Sequence, residues 1–464
     1  MSDLREHEAA LRAGLKRLEP HTAFAEVMAE AEAGESVGVD TKSTRTSRPA
    51  LMSGAVFRAW AGDHWVEGAA SSFDAPSING AIDGIVALAR SNGTSTPPPG
   101  ESATTVGTHD ARPARPMSDL GTEHLLKWAN DARSWLQERP EIRVGQVRID
   151  WDENERHYLN TAGANCYQRV FRAHVGIAAI ASDAGRTQIN FDGIGAIGGQ
   201  EILDGIPEGR VRAVATDAIA LLSAKAAPTG RMNVIFDPGV TATFAHESFG
   251  HGTEGDQFVR KRSYLLPLLG QRVGPDSLTL VDDGSIPNGW GSVYFDDEGH
   301  PGARTVLIDR GTFVSGLYDR ESAAAMHARP TGNTRRASFL DRAFVRMTNT
   351  SVDPGDRTFE ELVAEAGDGI VLERWESGME DPAGGQMQIK VGRGHLIENG
   401  KITDLVGPMA LSGKVLEVLK DIRGIGRRES FLMTPGFCGK GHGDYIPVGD
   451  GGSYVLTRAV VGPT

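Results

Sequence analysis

At 464 residues, 39% of them hydrophobic, the chain is too long for one ordinary core, and two or three folding units are expected. Its apolar stretches, such as Val175 to Ala181, fall far short of the roughly 20 residues that cross a bilayer, which argues against a membrane-spanning helix. The net charge of −13 is spread without a basic block, Arg260-Lys261-Arg262 being too short to form one, so neither nucleic acid nor anionic lipid has an electrostatic footprint.

The first 20 residues are charged, with Leu4, Leu11, Leu15 and Leu18 on one stripe. That is the pattern of an amphipathic helix and not of a secretion signal, so the expected compartment is the cytoplasm. Strand-like runs follow at 36–42 and 55–71, the second with period-two character around Gly62-Asp63, as in a hairpin. Residues 91–116 shift to Ser, Thr, Gly and Pro, which predicts a flexible loop or linker. A helix is predicted over 122–138, from Leu125, Leu126, Trp128, Ala132, Trp135 and Leu136 at helical spacing. Strands at 142–151, 157–163, 166–182 and 187–195 come next, then a helix over 210–227.

Pro228-Thr229-Gly230 marks the expected boundary between an N-terminal α+β domain, 1–227, and a C-terminal domain, 228–464. The second half opens with the buried-strand pattern of 231–238. Short strand-like runs separated by Gly, Pro and Asp recur at 291–299, 304–311, 386–402 and 454–462. The expected class is α+β, with mixed helix and strand in the first half and a largely antiparallel β domain in the second, carrying its site on a short helix.

That site is the segment His246-Glu247-Ser248-Phe249-Gly250-His251. Zinc favours imidazole nitrogen, but histidines five apart are rotated by about 500°, roughly 140° off-register on a regular helix. Gly250 permits a local distortion, a π-type bulge or a helix end, that turns the second ring back toward the first. The other reading of the segment is a simple surface pair between Glu247 and His251, which are i and i+4. Near the other end, Cys438 lies among Gly436, Gly439, Gly441 and Gly443, where the chain can bend sharply and approach another element. Zinc accepts thiolate readily, so two histidines and one cysteine make a three-ligand set with a fourth position open. Cys166 and Cys438 lie far apart, and free or metal-bound thiols are expected in place of a disulfide.

His246 to Asp256, Asp296 to Gly299, Thr331 to Arg336, and the run from Cys438 to Gly452 together resemble the TldD/PmbA family of metallopeptidases. The resemblance covers most of residues 210–464. It implies that His246, His251 and Cys438 hold Zn2+, that Glu247 is the base that activates water, and that this is the motif-bearing, TldD-like subunit. It also implies unstructured peptides as substrates, maturation of modified peptides among the roles, and a heterodimer with a motif-lacking TldE/PmbA-like paralogue, homodimers also occurring. After the cysteine the family reads Cys-Gly-Lys-X-Gly-Gln, whereas here Lys440 is followed by Gly441-His442-Gly443-Asp444. His442 is then either a polar group in the substrate cleft or a solvent-facing loop residue.

Asn333, Arg335 and Arg336 carry amide and guanidinium donors suited to a peptide backbone or carboxylate. Asp296, Asp297 and Glu298 precede a glycine and are read as a tight turn in preference to a second metal site. Three functions follow in order: a zinc peptidase of unstructured chains; a zinc-dependent hydrolase of an amide bond in a small biosynthetic intermediate; and a non-catalytic regulatory subunit.

Overall fold

The computed structural model describes residues 3–91, 97–440 and 445–464, and the chain is α+β. Residues 24–197 build one eight-stranded sheet, with the strands His64–Ala70, Met52–Ala61, Phe24–Asp40, Ile142–Asn160 and Asn165–Asp183 side by side. Arg186–Ile197 and the parallel strand Val106–Asp110 share the outer edge of Asn165–Asp183. The hairpin at Gly62-Asp63 joins Met52–Ala61 to His64–Ala70 in the expected way.

The alternation of a strand explains how this sheet is covered. Ala25, Val27, Ala29 and Ala31 point into a cluster with Leu11, Leu15 and Leu18 of the helix Glu8–Leu18 and with Ile78, Ile82 and Ile85 of the helix Ala75–Ser91. Their neighbour Met28 points the other way, to Tyr158, Phe295 and Phe339. Further along, Val37, Val39, Val147, Ile149, Val175 and Ile177 pack under the helices Gly121–Leu136 and Glu208–Leu221.

Three readings change. The runs 142–151 and 157–163 are parts of one 19-residue strand, Ile142–Asn160. The charged residues between them looked like a break, yet each has a partner: Glu153 pairs with Arg169, Asn154 donates to Glu30 at 3.0 Å, and Arg156 binds Glu30 at 2.8 Å and Asp297 at 2.9 Å. Within 91–116, Val106–Asp110 is a strand paired with Asn165–Asp183, its residues mostly exposed apart from His109, whose ring stacks on Tyr294. The run 291–299 is a turn, since the Asp296 carboxylate accepts from the backbone N–H of Glu298, His300 and Thr334 at 2.9 to 3.0 Å.

In the second half, five strands close into a barrel: Gly230–Phe236, Val455–Pro463, Met409–Lys414, Gln386–Glu398 and Gly369–Asp381, the last returning to pair in parallel with the first. A six-stranded sheet runs in the order Thr312–Phe313, Arg304–Asp309, Leu280–Asp283, Asn349–Val352, Ile446–Gly452 and Leu432–Cys438. The helix Pro238–Ala245 is buried between the two, and its Val240 and Phe244 join the same core as Val391, Leu411 and Val448. No helix among the described residues is long and apolar enough to cross a membrane.

Candidate metal centre

The buried helix Pro238–Ala245 begins where the barrel strand Gly230–Phe236 ends. Asp237 is its N-cap, accepting from Val240 N–H at 2.7 Å and from Arg374 N–H of the barrel at 3.0 Å. At its other end the helix widens into a π turn, His246–Gly250, in which His251 N–H donates to the His246 carbonyl five residues back. The wider turn cancels the off-register rotation: the two imidazole centroids lie 4.9 Å apart with their planes at 87°. Gly250 has ordinary helical angles, φ −55° and ψ −56°, so what it supplies is room and not conformational freedom. A Cβ there would collide with the Met347 thioether.

Cys438 is the last residue of the strand Leu432–Cys438, and its Sγ lies 3.4 Å from His251 Nε2. The donor atoms of His246, His251 and Cys438 all fall within 4.8 Å of one another. A separation of 3.4 Å is close to the edge of a tetrahedral site with zinc–nitrogen and zinc–sulfur bonds of about 2.0 and 2.3 Å. The cysteines form no disulfide. Glu247 points to the same space, with Oε2 4.0 Å from His251 Nε2, and its stem lies against Gly378 of the barrel, where a Cβ would overlap it.

The site carries a charge pattern of its own. Burial pushes the Cys438 thiol up, but His246 and His251 outweigh it and bring the thiol down to about 5. Burial opposes protonation of His251, yet Cys438 and Glu254 raise it to about 10; Asp450 and Cys438 likewise hold His246 well above its usual value. A thiolate between two imidazolium rings is a set of donors that a divalent cation binds by displacing protons.

Three residues that the sequence reading left without a role hold these donors in place. Asp450 Oδ1 lies 2.7 Å from His246 Nδ1, which leaves Nε2 for the cluster. Glu254, buried, lies 3.6 Å from His251 Nδ1. Lys440 donates to Glu254 at 2.9 Å, Asp256 at 2.8 Å and the Val345 carbonyl at 3.0 Å, tying the chain just past Cys438 to the motif segment. The rule that a ligating histidine needs a carboxylate on its other nitrogen asks for such residues, but spacing does not say which acids they are. Nearby, both Glu380 oxygens are enclosed without a hydrogen-bond partner, and burial pushes its carboxyl up to about 9.

The other candidate residues lie apart from this cluster. Asn333 is buried and donates to Asp282 at 2.7 Å and to the Arg346 carbonyl at 3.0 Å. Arg336 is buried against Asp297, with Nη1 on the Asp341 carbonyl. Arg335 donates to the Met347 carbonyl at 2.8 Å. His442 lies outside the described residues.

Family models described as the PmbA/TldA metallopeptidase central and C-terminal domains match residues 115–224 and 229–461. A Methanothermobacter thermautotrophicus protein described as a metalloprotease is 34% identical over 79% of this chain and 80% of its own. A zinc metalloprotease TldD homolog from Saccharolobus solfataricus is 31% identical over 49% and 51%. Two solved structures share the fold. One is a candidate modulator of DNA gyrase from Thermotoga maritima, with TM-score 0.80, 20% identity and coverage of 99% and 100%; the other is TldE from Thermococcus kodakarensis, with 0.77, 18%, 98% and 100%. With two family models spanning nearly all of residues 115–461 and a relative one-third identical along four-fifths of the sequence, the chain that brings these two histidines and this cysteine together belongs to the TldD/PmbA family of metallopeptidases.

Proposed function

We propose that the chain is a zinc-dependent peptidase of extended, unstructured peptides, with His246, His251 and Cys438 as zinc ligands and Glu247 as general base. The observation that carries this is the convergence of those three donors with the Glu247 carboxylate beside them. Zinc held there supplies Lewis-acid polarisation of the scissile carbonyl and acidifies a water molecule. Glu247, beside the three donors, would take a proton from the attacking water and return it to the leaving nitrogen. Asp450 and Glu254 keep the rings of His246 and His251 oriented, and the Cys438 thiolate would make a bound metal less electrophilic than three neutral imidazoles would. Support for an extended substrate comes from the position of Cys438 at the end of an edge strand, where a chain laid alongside reaches the site. The shared fold with TldE supports pairing with a TldE-like paralogue, a homodimer being the other arrangement.

The test combines metal analysis with turnover of an unstructured peptide library, for the protein alone and with a TldE-like partner. Expected are about one zinc per site, its loss in Cys438→Ser, and in Glu247→Gln full zinc with turnover reduced roughly 10²- to 10⁴-fold. Turnover confined to small amides would replace the peptide substrate. Absence of metal and of activity in both preparations would leave a regulatory subunit.

A further inference from the structure

A cavity of about 1490 Å³ lies between the first sheet and the second half of the chain. It exists because side chains are missing from its floor. Val37, Val39, Val147 and Ile177 point under the helices, so their neighbours in the strands face the other way. On that other face Gly38, Arg148, Gly176 and Gly193 stand side by side across four strands. A Cβ on Gly38 would meet nothing within 4 Å.

The remaining walls lead to the metal centre. The strand Leu432–Cys438 lines the cavity from Leu432 to Pro435 and ends in Cys438. The helix Pro238–Ala245 lines it at Pro238 and Gly239 and ends against His246. The barrel strand Gly369–Asp381 lines it from Glu373 to Trp375, and its Gly378 lies against the Glu247 stem. At about 3.3 Å per strand residue and 1.5 Å per helical residue, Pro435 stands about 10 Å from Cys438, and Gly239 about 10 Å from His246. An extended peptide covers that distance in about three residues.

The barrel strand is distorted where it borders the cavity. Arg374 has φ 66°, a left-handed conformation uncommon outside glycine, and the pairing with Gln386–Glu398 shifts register between Trp375 and Ser377. Arg374 is held there by its N–H on Asp237 at 3.0 Å and its guanidinium on the Phe191 carbonyl at 2.5 Å. Such an irregularity re-aims a side chain, and here Trp375 lies over Gly239, where a Cβ would come within 3.0 Å of the indole. The lining is balanced in charge: five arginines are matched in number by five carboxylates, with Arg210 on Asp192 at 2.6 Å and Arg393 on Glu373 at 2.9 Å. What is left to discriminate is the apolar surface of Trp375, Phe191, Ile194, Met433 and Pro435.

We propose that this cavity receives the substrate chain from about three residues beyond the scissile bond and selects a large apolar side chain, aromatic above all, at that position. This rests on the peptidase reading of His246, His251 and Cys438. The volume exceeds the roughly 300 to 1,000 Å³ of a small-ligand pocket, so it holds a run of residues, and burial of a ring against Trp375, Phe191 and Met433 supplies the discrimination.

The experiment uses the zinc-loaded full-length protein and a polar, unstructured peptide in which Phe, Lys, Asp or Gly stands in turn at each position, with cleavage sites read by mass spectrometry. Phe about three residues from the bond, on one side of it, is expected to raise kcat/KM about 10- to 100-fold over Gly, and Lys or Asp there to give no gain. Gly38→Trp fills the cavity from its floor, and Trp375→Ala removes a wall; each is expected to take away most of the gain from Phe. Gly38→Trp should keep the native zinc content and melting temperature, because its side chain enters open space and tryptophan suits a strand better than glycine. Its effect therefore reads occupancy of the cavity and not unfolding. A preference at no fixed distance from the bond, a preference for Lys or Asp, or a gain from Phe that survives both variants overturns the proposal. Binding of the same peptides to Glu247→Ala separates it from the peptidase reading. Phe-dependent binding, lost when either variant is added, by a protein that cleaves nothing sustains this proposal and removes the other. Cleavage with no preference for Phe does the reverse.

Discussion

Removal of the Asp450 carboxylate tests whether the geometry around His246 is what tunes the metal site. The contact is short, 2.7 Å from Oδ1 to His246 Nδ1, and little exposed, with 14% of the Asp450 side-chain surface accessible. A charge-assisted hydrogen bond of that kind contributes about 1.5 to 3 kcal/mol, which corresponds to the 10- to 100-fold in metal affinity typical of such outer carboxylates. Asp450→Ala should therefore weaken zinc binding by about 10- to 100-fold, and Asp450→Asn, which keeps an acceptor, by less. The sign of the pH dependence follows from the same contact. Asp450 and Cys438 favour the protonated form of His246 in the metal-free protein, so zinc binding at the proposed site would have to displace that proton. In Asp450→Ala the ring gives up its proton more easily, which hides part of the loss at neutral pH, and the deficit should widen as pH rises toward 9. The assay is competition with a chromogenic chelator at several pH values, with circular dichroism as a check on folding. A correctly folded Asp450→Ala that binds zinc within a factor of two of native at pH 9 would refute the reasoning.

Gly250→Ala should lower stability by about 1 kcal/mol in denaturant titration, because overlap with Met347 outweighs the better helix propensity of alanine; a rise in stability would mean that Met347 swings clear. Lys440→Met leaves Glu254 and Asp256 without their shared cation and should cost about 3 kcal/mol or more near neutral pH. Glu254 is depressed from 4.5 to about 2, so that loss should be complete above pH about 4.5 and fade as pH falls through 2, as read from unfolding midpoints against pH. Glu380 works in the opposite sense. Raised from 4.5 to about 9, it keeps a proton that the unfolded chain has lost, so native stability should fall between those values by at most about 1.4 kcal/mol per pH unit. In metal-free protein Glu380→Gln should remove this slope, and an unchanged profile would place the Glu380 charge in contact with water.

The local parts of the site were legible because spacing has a geometric meaning. Histidines five apart demand a widened turn, and the π turn at His246–Gly250 supplies it. The glycines around Cys438 signal a sharp approach, though the residues alone did not say to what; the resemblance did. The supporting acids were less legible, since Asp450 and Glu254 look like any polar residue in a glycine-rich stretch. Strand errors had a common cause. Residues 152–156 read as a break because burial of charge is invisible until its partners across the sheet are known, and residues 291–299 read as a strand because the turn-forming bonds of Asp296 reach Thr334, 38 residues away. The closure of the barrel was illegible for a related reason: Gly369–Asp381 returns to Gly230–Phe236 in parallel, across more than a hundred residues, and no local pattern sets that register.

That barrel register nonetheless explains why donors so distant in sequence meet. Phe236 pairs with Val455 across adjacent barrel strands. From Phe236 the chain runs through Asp237 into the helix that bears His246 and His251. Into Val455 it arrives from the hairpin of Leu432–Cys438 and Ile446–Gly452, which bears both Cys438 and Asp450. The two donor-bearing segments thus leave one end of the barrel side by side, and they stay in contact, since a Cβ on Gly452 would overlap Thr241 of the helix. A slip of one residue between the two strands would shift the hairpin by about 3.4 Å and turn its side chains to the other face. Cys438 and Asp450 would then leave His251 and His246 together. The third donor and the carboxylate beside the first are therefore placed by two pairings, that of Phe236 with Val455 in the barrel and that of Ile446–Gly452 with Asn349–Val352 in the six-stranded sheet, and the candidate metal site depends on both registers.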